Sequence, residues 1–372
     1  MLKKRLITII LIFTTFLEGC WDQTIYERTG FILQVGIEPS NNNLLITYTD
    51  PVVEPKSKEK VEVIYGSKEN LLREFREDAR KISSKMLEAG KVQQVLISDS
   101  IAAKGINNLL EIFERDPTTS IIAYVVVVEG SPRNLMEKAQ SFGDKPRPAF
   151  YIHQLIEDNV EQSYVPDTQI HRFTTTFFSP GIYPITPIIK LQYDKGKGIE
   201  VTGSALFSED KMVGKIDTNQ TLLLLSMMGK AKKSVYVSKH FENPGYNNGK
   251  RGCAIGIRKV KRKVNVYLEN NIPIADIALN FDGSLNEMHW NSIPDLEAQK
   301  NIEKTLETEI KKSCEQVLTY TQKVHSDPLG IGDIIRAKYN SYFENVNWKN
   351  VYPSVKFNVN VKLNISGHGV IN

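Results

Sequence analysis

Ile121–Ile122–Ala123–Tyr124–Val125–Val126–Val127–Val128 is an unbroken apolar run, rich in β-branched side chains. A strand with one wet face alternates apolar and polar residues, and a surface helix repeats them every three or four. This run does neither. It reads as a central strand covered on both faces, the setting of a partly parallel sheet between helices.

The flanking sequence supplies those helices. Upstream, Leu71, Leu72, Phe75, Ala79, Ile82, Met86 and Leu87 recur at helical spacing, with Ser67 as N-cap and Gly90 as stop. Gln94–Ile97 reads as a second buried strand, and a helix from about Ile101 to Phe113 stops before Asp116–Pro117. Downstream, Pro132 opens a helix through Ala139, and Phe150–Tyr164 forms another. Thr29–Val35 and Leu44–Thr49 read as strands joined at Asn41–Asn43, while Pro51–Lys60, with two prolines and alternating charge, reads as an exposed loop. Alternating strands and helices make this an α/β unit.

From Ile170 the composition shifts to threonine, phenylalanine, proline and glycine. Phe173–Phe178 and Ile185–Tyr193 read as strands, and Asp194–Lys195–Gly196–Lys197–Gly198 as a turn and domain boundary. Val201–Phe207 and Met212–Ile216 form a hairpin across Ser208–Asp210. A helix capped by Asp217 or Thr218 ends at Gly229. Strands follow at Val235–Phe241, Ala254–Lys259, Lys263–Leu268 and Ile272–Asp282. Asp295–Val324 is one helix of roughly 45 Å at about 1.5 Å per residue. The last strand alternates, with Val355, Phe357, Val359, Val361, Leu363 and Ile365 on one face and Lys356, Asn358, Asn360, Lys362 and Asn364 on the other, so one face is covered and one is wet.

Length and composition bound the class. The 372 residues suit two or three domains, and 41% hydrophobic with 24% charged residues mark a globular chain. The chain starts with Lys3, Lys4 and Arg5, then an apolar run from Leu6 to Leu17. The run is about half of the ~20 residues a spanning helix needs, and this arrangement is that of an export signal. It ends in Leu17–Glu18–Gly19–Cys20, which resembles a lipobox, where the cysteine thiol takes a diacylglyceryl group and the chain is cut before it; an ordinary signal peptide with a chance cysteine is the alternative. Glu18 stands where lipoboxes favour Ser, Ala or Thr. Residues 1–19 carry three cations and one carboxylate, so cutting lowers the net charge from +4 to +2. That balance gives no ground for nucleic-acid binding.

No catalytic or metal signature is evident. None of His153, His171, His240, His289, His325 and His368 falls four residues from another, and there is no Gly-x-Ser-x-Gly elbow or phosphate loop. Cys253 and Cys314 stand either as one disulfide or as two buried thiols. Lys259–Val260–Lys261–Arg262–Lys263 reads either as a basic patch for anionic headgroups or as a solvated hairpin edge. Asp327–Pro328–Leu329–Gly330–Ile331–Gly332–Asp333 reads as a turn between helices, with a partner-contact loop as the alternative.

Several separated segments together resemble one family. Gly19–Cys20–Trp21–Asp22, Gly203–Phe207, Asp210–Gly214, the leucine-rich helix ending at Gly229–Lys230, Asp327–Asp333, Trp348, Tyr352–Pro353 and the alternating last strand are similar to the Ger(x)C proteins, the C subunits of spore germinant receptors. Ile331 departs from the aromatic residue expected there. The resemblance implies a mixed α/β (α+β) chain of three domains, each a β-sheet with flanking helices, behind a cleaved lipoprotein signal peptide. In this sequence the expected segments are 1–19 for the signal, 20–193, 194–262, and 263–372 with the long helix. It further implies a non-enzymatic, cofactor-free subunit, anchored through Cys20 to the outer face of the inner spore membrane. An A subunit and a transporter-like B subunit are the implied partners, and small nutrients the implied stimulus. The residues themselves support an exported, lipid-anchored α/β protein. A solute-binding lipoprotein serving a transporter is the rival, although such proteins usually show two similar lobes and the Ser67–Val128 pattern has no second copy. An envelope hydrolase would require a cleft with converging carboxylates or a metal.

Overall fold

The computed structural model describes residues 28–41, 43–51, 59–67, 72–83, 85–192, 198–238, 252–288 and 296–367. The leader, Cys20, Trp21–Asp22, most of the 194–198 turn and His240, His289 and His368 lie outside them.

Two main sheets carry the fold. The larger has eight strands: β2 (Gln34–Ser40), β3 (Asn43–Pro51), β4 (Glu59–Ser67), β6 (Gln94–Ser98), β7 (Tyr124–Glu129), β8 (Ile185–Gln192), β9 (Gly198–Ser208) and β10 (Lys211–Ile216). Their order is β10-β9-β8-β7-β6-β2-β3-β4. The centre, β2-β6-β7-β8, is parallel, and antiparallel strands extend it on both sides. Successive residues in the centre enter opposite cores. On one side Val95, Ile97, Val125 and Val127 pack against α1 (Leu72–Ile82), α2 (Asp99–Ala102), α3 (Asn107–Arg115) and α6 (Ile170–Phe177). On the other, Leu96, Val126 and Val128 pack against α4 (Pro132–Gln140) and α5 (Pro148–Glu161). Both-sided burial is why the sequence here is apolar without a break.

The smaller sheet has the order β11-β12-β13-β14: β11 (Ser234–Ser238), β12 (Cys253–Glu269), β13 (Ile272–Met288) and β14 (Lys356–Ile365). Its β13–β14 pair is parallel, and the crossover between them carries α8 (Leu296–Lys323), α9 (Ile331–Lys338), α10 (Asn340–Glu344) and α11 (Trp348–Val351). Ile302, Leu306, Ile310, Cys314 and Val317 of α8 form a core with Ile277, Leu279, Phe281, Val359, Val361 and Leu363. The other face of β14 is exposed at every second residue, as its alternation requires. The polar groups along β14 meet α8 side chains: Leu363 N–H and Ile365 N–H donate to Glu307 and Glu303, both at 2.8 Å, and Gln299 donates to the Ile365 carbonyl.

Between the sheets lies α7 (Thr218–Met228), buried continuously from Thr221 to Met227. Asp217 and Gln220 form its capping box, and Gly229 closes it with φ 73°. Its leucines share one core with both the second sheet and Leu206 and Ile185 of the first. The expected 194–262 segment is thus distributed. Its hairpin β9–β10 extends the large sheet, its helix fills the seam, and position 262/263 falls inside β12.

Several local expectations need correction. The first helix ends at Ile82, and Met86–Glu88 is instead strand β5, paired in parallel with β1 (Thr29–Phe31). Arg80 holds the return by donating to the Leu87 carbonyl at 3.0 Å. Strand β4 begins at Glu59, inside the expected loop, because β3 supplies it a partner along its length. Ile121 and Ile122 are exposed and precede β7. Phe173–Phe178 lies largely in helix α6, where Ile170, Phe173 and Thr174 share one buried face despite their β propensity. Finally, Ala254–Lys259 and Lys263–Leu268 are parts of one strand, so the basic run is mid-strand, with two register shifts nearer the strand's start.

Candidate functional site

The seam holds the two features that chemistry can use: a buried aspartate clasp and the cleft beside it. The clasp is the 327–333 turn. Asp327 is fully buried and its carboxylate accepts four hydrogen bonds. Oδ1 takes Gly330 N–H at 3.0 Å and Ile331 N–H at 3.2 Å. Oδ2 takes Gly332 N–H at 2.9 Å and the Trp348 indole N–H at 3.0 Å. Burial pushes this carboxyl up to about 6, against the opposing pull of those donors.

The same turn ties the sheets together. Tyr183 N–H donates to the Asp327 carbonyl, Asp333 N–H to the Gly181 carbonyl, and the Ser326 hydroxyl to the Phe207 carbonyl. Gly181 needs to be glycine, since φ is 85° and a Cβ there would lie 2.4 Å from the Gly332 carbonyl carbon. Of the residues named as a partner-contact loop, Asp327, Pro328, Leu329, Gly330 and Gly332 are buried within this chain, and Asp333 is half-buried. Asp333 itself pairs with Arg336 at 2.6 Å.

Pro328 also lines a cleft of about 560 Å³ between the 165–185 segment and the end of α7. Val165, Pro166, Ile182, Pro184 and Met228 give it apolar walls, and Asp167, Arg172, Lys230 and Lys232 give it charge. Most of that charge is already matched. Arg172 pairs with Asp167, and Lys232 pairs with Glu161 at 2.6 Å. Lys230 is held below its usual range by burial and by the guanidinium of Arg172. His171 bonds the Ile121 carbonyl at 3.2 Å.

Catalytic and metal chemistry find little to work with in the described residues. No three His, Cys, Asp or Glu side chains converge to hold a metal ion. Cys253 and Cys314 are separate buried thiols, both pushed up to about 12 by burial, which suits packing and not nucleophilic attack. No described helix is long and apolar enough to cross a membrane. The clasp was legible as a turn, but its carboxylate–indole bond was not, because Asp327 and Trp348 are distant in sequence.

Comparison with known proteins matches both halves of the chain. Residues 22–191 match the model of the spore germination protein N-terminal domain, and residues 202–369 that of the spore germination B3/GerAC-like C-terminal domain. Spore germination protein GerQC of Bacillus cereus is 23% identical over 313 residues, covering 82% of this chain and 83% of that protein. Spore germination protein B3 of Bacillus subtilis is 21% identical and 95% of each chain is covered. The crystal structure of the GerBC protein superposes with a TM-score of 0.59 at 17% identity, covering 89% of this chain and 96% of that one.

Proposed function

The chain belongs to the Ger(x)C family of spore germination proteins, and from that premise we propose that it is the lipid-anchored C subunit of a nutrient germinant receptor. The observation that carries this reading is the match of both family halves, in order, over nearly the whole chain. The subunit sits on the outer face of the inner spore membrane, held by a diacylglyceryl group on Cys20. It assembles with an A subunit and a transporter-like B subunit, and the complex responds to small nutrients such as amino acids, sugars or nucleosides. Its part is positional and not catalytic, in keeping with the paired charges of the cleft. The solute-binding alternative is disfavoured by the unlikeness of the two sheets, one of eight strands and one of four.

The test is genetic and chemical at once. The gene is deleted in a strain whose redundant receptors are also removed, and the strain is complemented with the parent or with Cys20→Ala. Spores lacking the gene lose one nutrient response, and the parent restores it and takes up a fatty-acid analogue. Cys20→Ala takes up no label, runs slightly heavier because the leader stays on, and restores the response only in part. Unchanged nutrient germination in the deletion would sink the receptor reading, and label on the variant would sink the anchor site.

A further inference from the structure

The outer face of the small sheet gathers basic residues that are scattered in the sequence. Lys259, Lys261 and Lys263 occupy alternate positions of β12 and are all exposed. Arg258, set in the register shift between Ile257 and Lys259, reaches across to the Ser366 hydroxyl beyond β14. Lys261 lies opposite Asn280, and Asn280 opposite Lys362 of β14, so Lys362 stands two strands away on the same face. Lys356 lies further along β14, also exposed.

Carboxylates share this face without balancing it: Asp282 lies directly opposite Lys259 and Asp276 opposite Asn265, so the cations outnumber them. Asp276 and Asp282, on the strand between, accept from Asn358 at 2.8 Å and Asn364 at 3.2 Å. Glu269 and Glu287 stand near opposite ends of the β12–β13 ladder. None of the six cations is within ion-pair distance of a carboxylate among the described residues. The remaining exposed positions are largely amides, Asn265, Asn280 and Asn360 among them.

We propose that this face of the β12-β13-β14 sheet is a docking surface for the anionic phospholipid headgroups of a bilayer. Charge complementarity is one ground, since each lysine near an anionic surface adds to the attraction. The choice of a bilayer over an acidic protein rests on the composition of the face. Protein interfaces are enriched in aromatic residues and depleted in lysine, whereas this surface is chiefly lysine and asparagine, with two aspartates on its middle strand and Tyr267 toward one end. Lysine, a compact ammonium on a flexible stem, suits a diffuse layer of phosphates, and asparagine amides donate to phosphate oxygens. The inference does not depend on the Cys20 anchor or on any receptor partner.

The experiment uses the full chain and a variant with Lys259, Lys261, Lys263 and Lys362 all changed to Gln. Both carry the same leader, so its contribution cancels. Each is mixed with vesicles of phosphatidylglycerol plus phosphatidylcholine, and with phosphatidylcholine alone, at low and high salt. Circular dichroism checks that the fold is unchanged, as exposed positions should allow. The parent is expected to partition onto the anionic vesicles roughly tenfold or more better than the variant. On phosphatidylcholine, or at high salt, that difference should vanish. Equal partitioning of both proteins onto anionic vesicles overturns the proposal. So does a variant that keeps full vesicle binding but loses a membrane protein that copurifies with the parent, which would give the face to an acidic protein.

Discussion

The two sheets solve the same burial problem in different ways. In β6, neighbouring residues Val95, Leu96 and Ile97 are all fully buried, but they alternate between two separate cores. In β14, only every second residue is buried, all in one core, and the rest stand in water. An unbroken apolar run therefore signals helices on both faces, and alternation signals a helix on one. The seam between the sheets follows neither rule, because its key buried group is a carboxylate.

The sharpest way to break the comparison is at that seam. Asp327→Ala strips the acceptor from three backbone N–H groups and one indole N–H at once. Its partners are all neutral donors, and leaving a buried donor without its acceptor costs about 1–3 kcal/mol. Urea unfolding of the variant should show that loss, and a cost below about 1 kcal/mol, in the range of a typical single hydrogen bond, would mean the clasp does not hold the sheets together.

A paired substitution tests the sheets directly. Leu96→Ala and Ile97→Ala, adjacent in β6, should each cost about 2–5 kcal/mol. In β14, Leu363→Ala should cost about as much, but its neighbour Lys362→Ala should stay within about 0.5 kcal/mol. Equal costs for Leu363 and Lys362 would contradict one-sided burial.

The smallest effect is in pH, and it sharpens the contrast between two buried aspartates. Asp116 lies beside the large sheet. Its burial raises its pKa, but the Thr118 hydroxyl and N–H and the Arg76 guanidinium outweigh that, and it falls to about 2. Its contribution is present above the ordinary carboxylate range and is lost as pH falls toward 2. Asp327, raised to about 6, behaves in the opposite sense. Its protonated form is favoured by folding, so its contribution is present below the ordinary range and is lost as pH rises through about 6. Stability should therefore drop between about pH 4 and 6 in the parent by on the order of 2 kcal/mol. That step should be missing in Asp327→Asn.

How much of this was legible follows the same divide. The large sheet's centre and β14 could be read because periodicity reports burial directly, and burial there is regular. Phe173–Phe178 misled because its β-branched and aromatic composition favours a strand, whereas the packing of Phe173 against Phe207 needs a helical face. Strand β12 reads as two strands because exposed lysines in mid-strand look like a turn. The clasp and the lysine face were the least legible. Each depends on side chains brought together by strand order and crossover, which local spacing does not encode.

One strand pairing also has a consequence for the order of events during synthesis. β8 ends at Gln192, and its partner β9 begins at Gly198, so the two family halves meet between hydrogen-bonded neighbours. Because the chain emerges amino end first, every residue of the first half is out before β8 has anything on its outer side. Until residues 198–216 follow, Ile188 and Ile189 border a bare edge that can recruit any passing strand. The first half is thus a template that waits for the opening hairpin of the second.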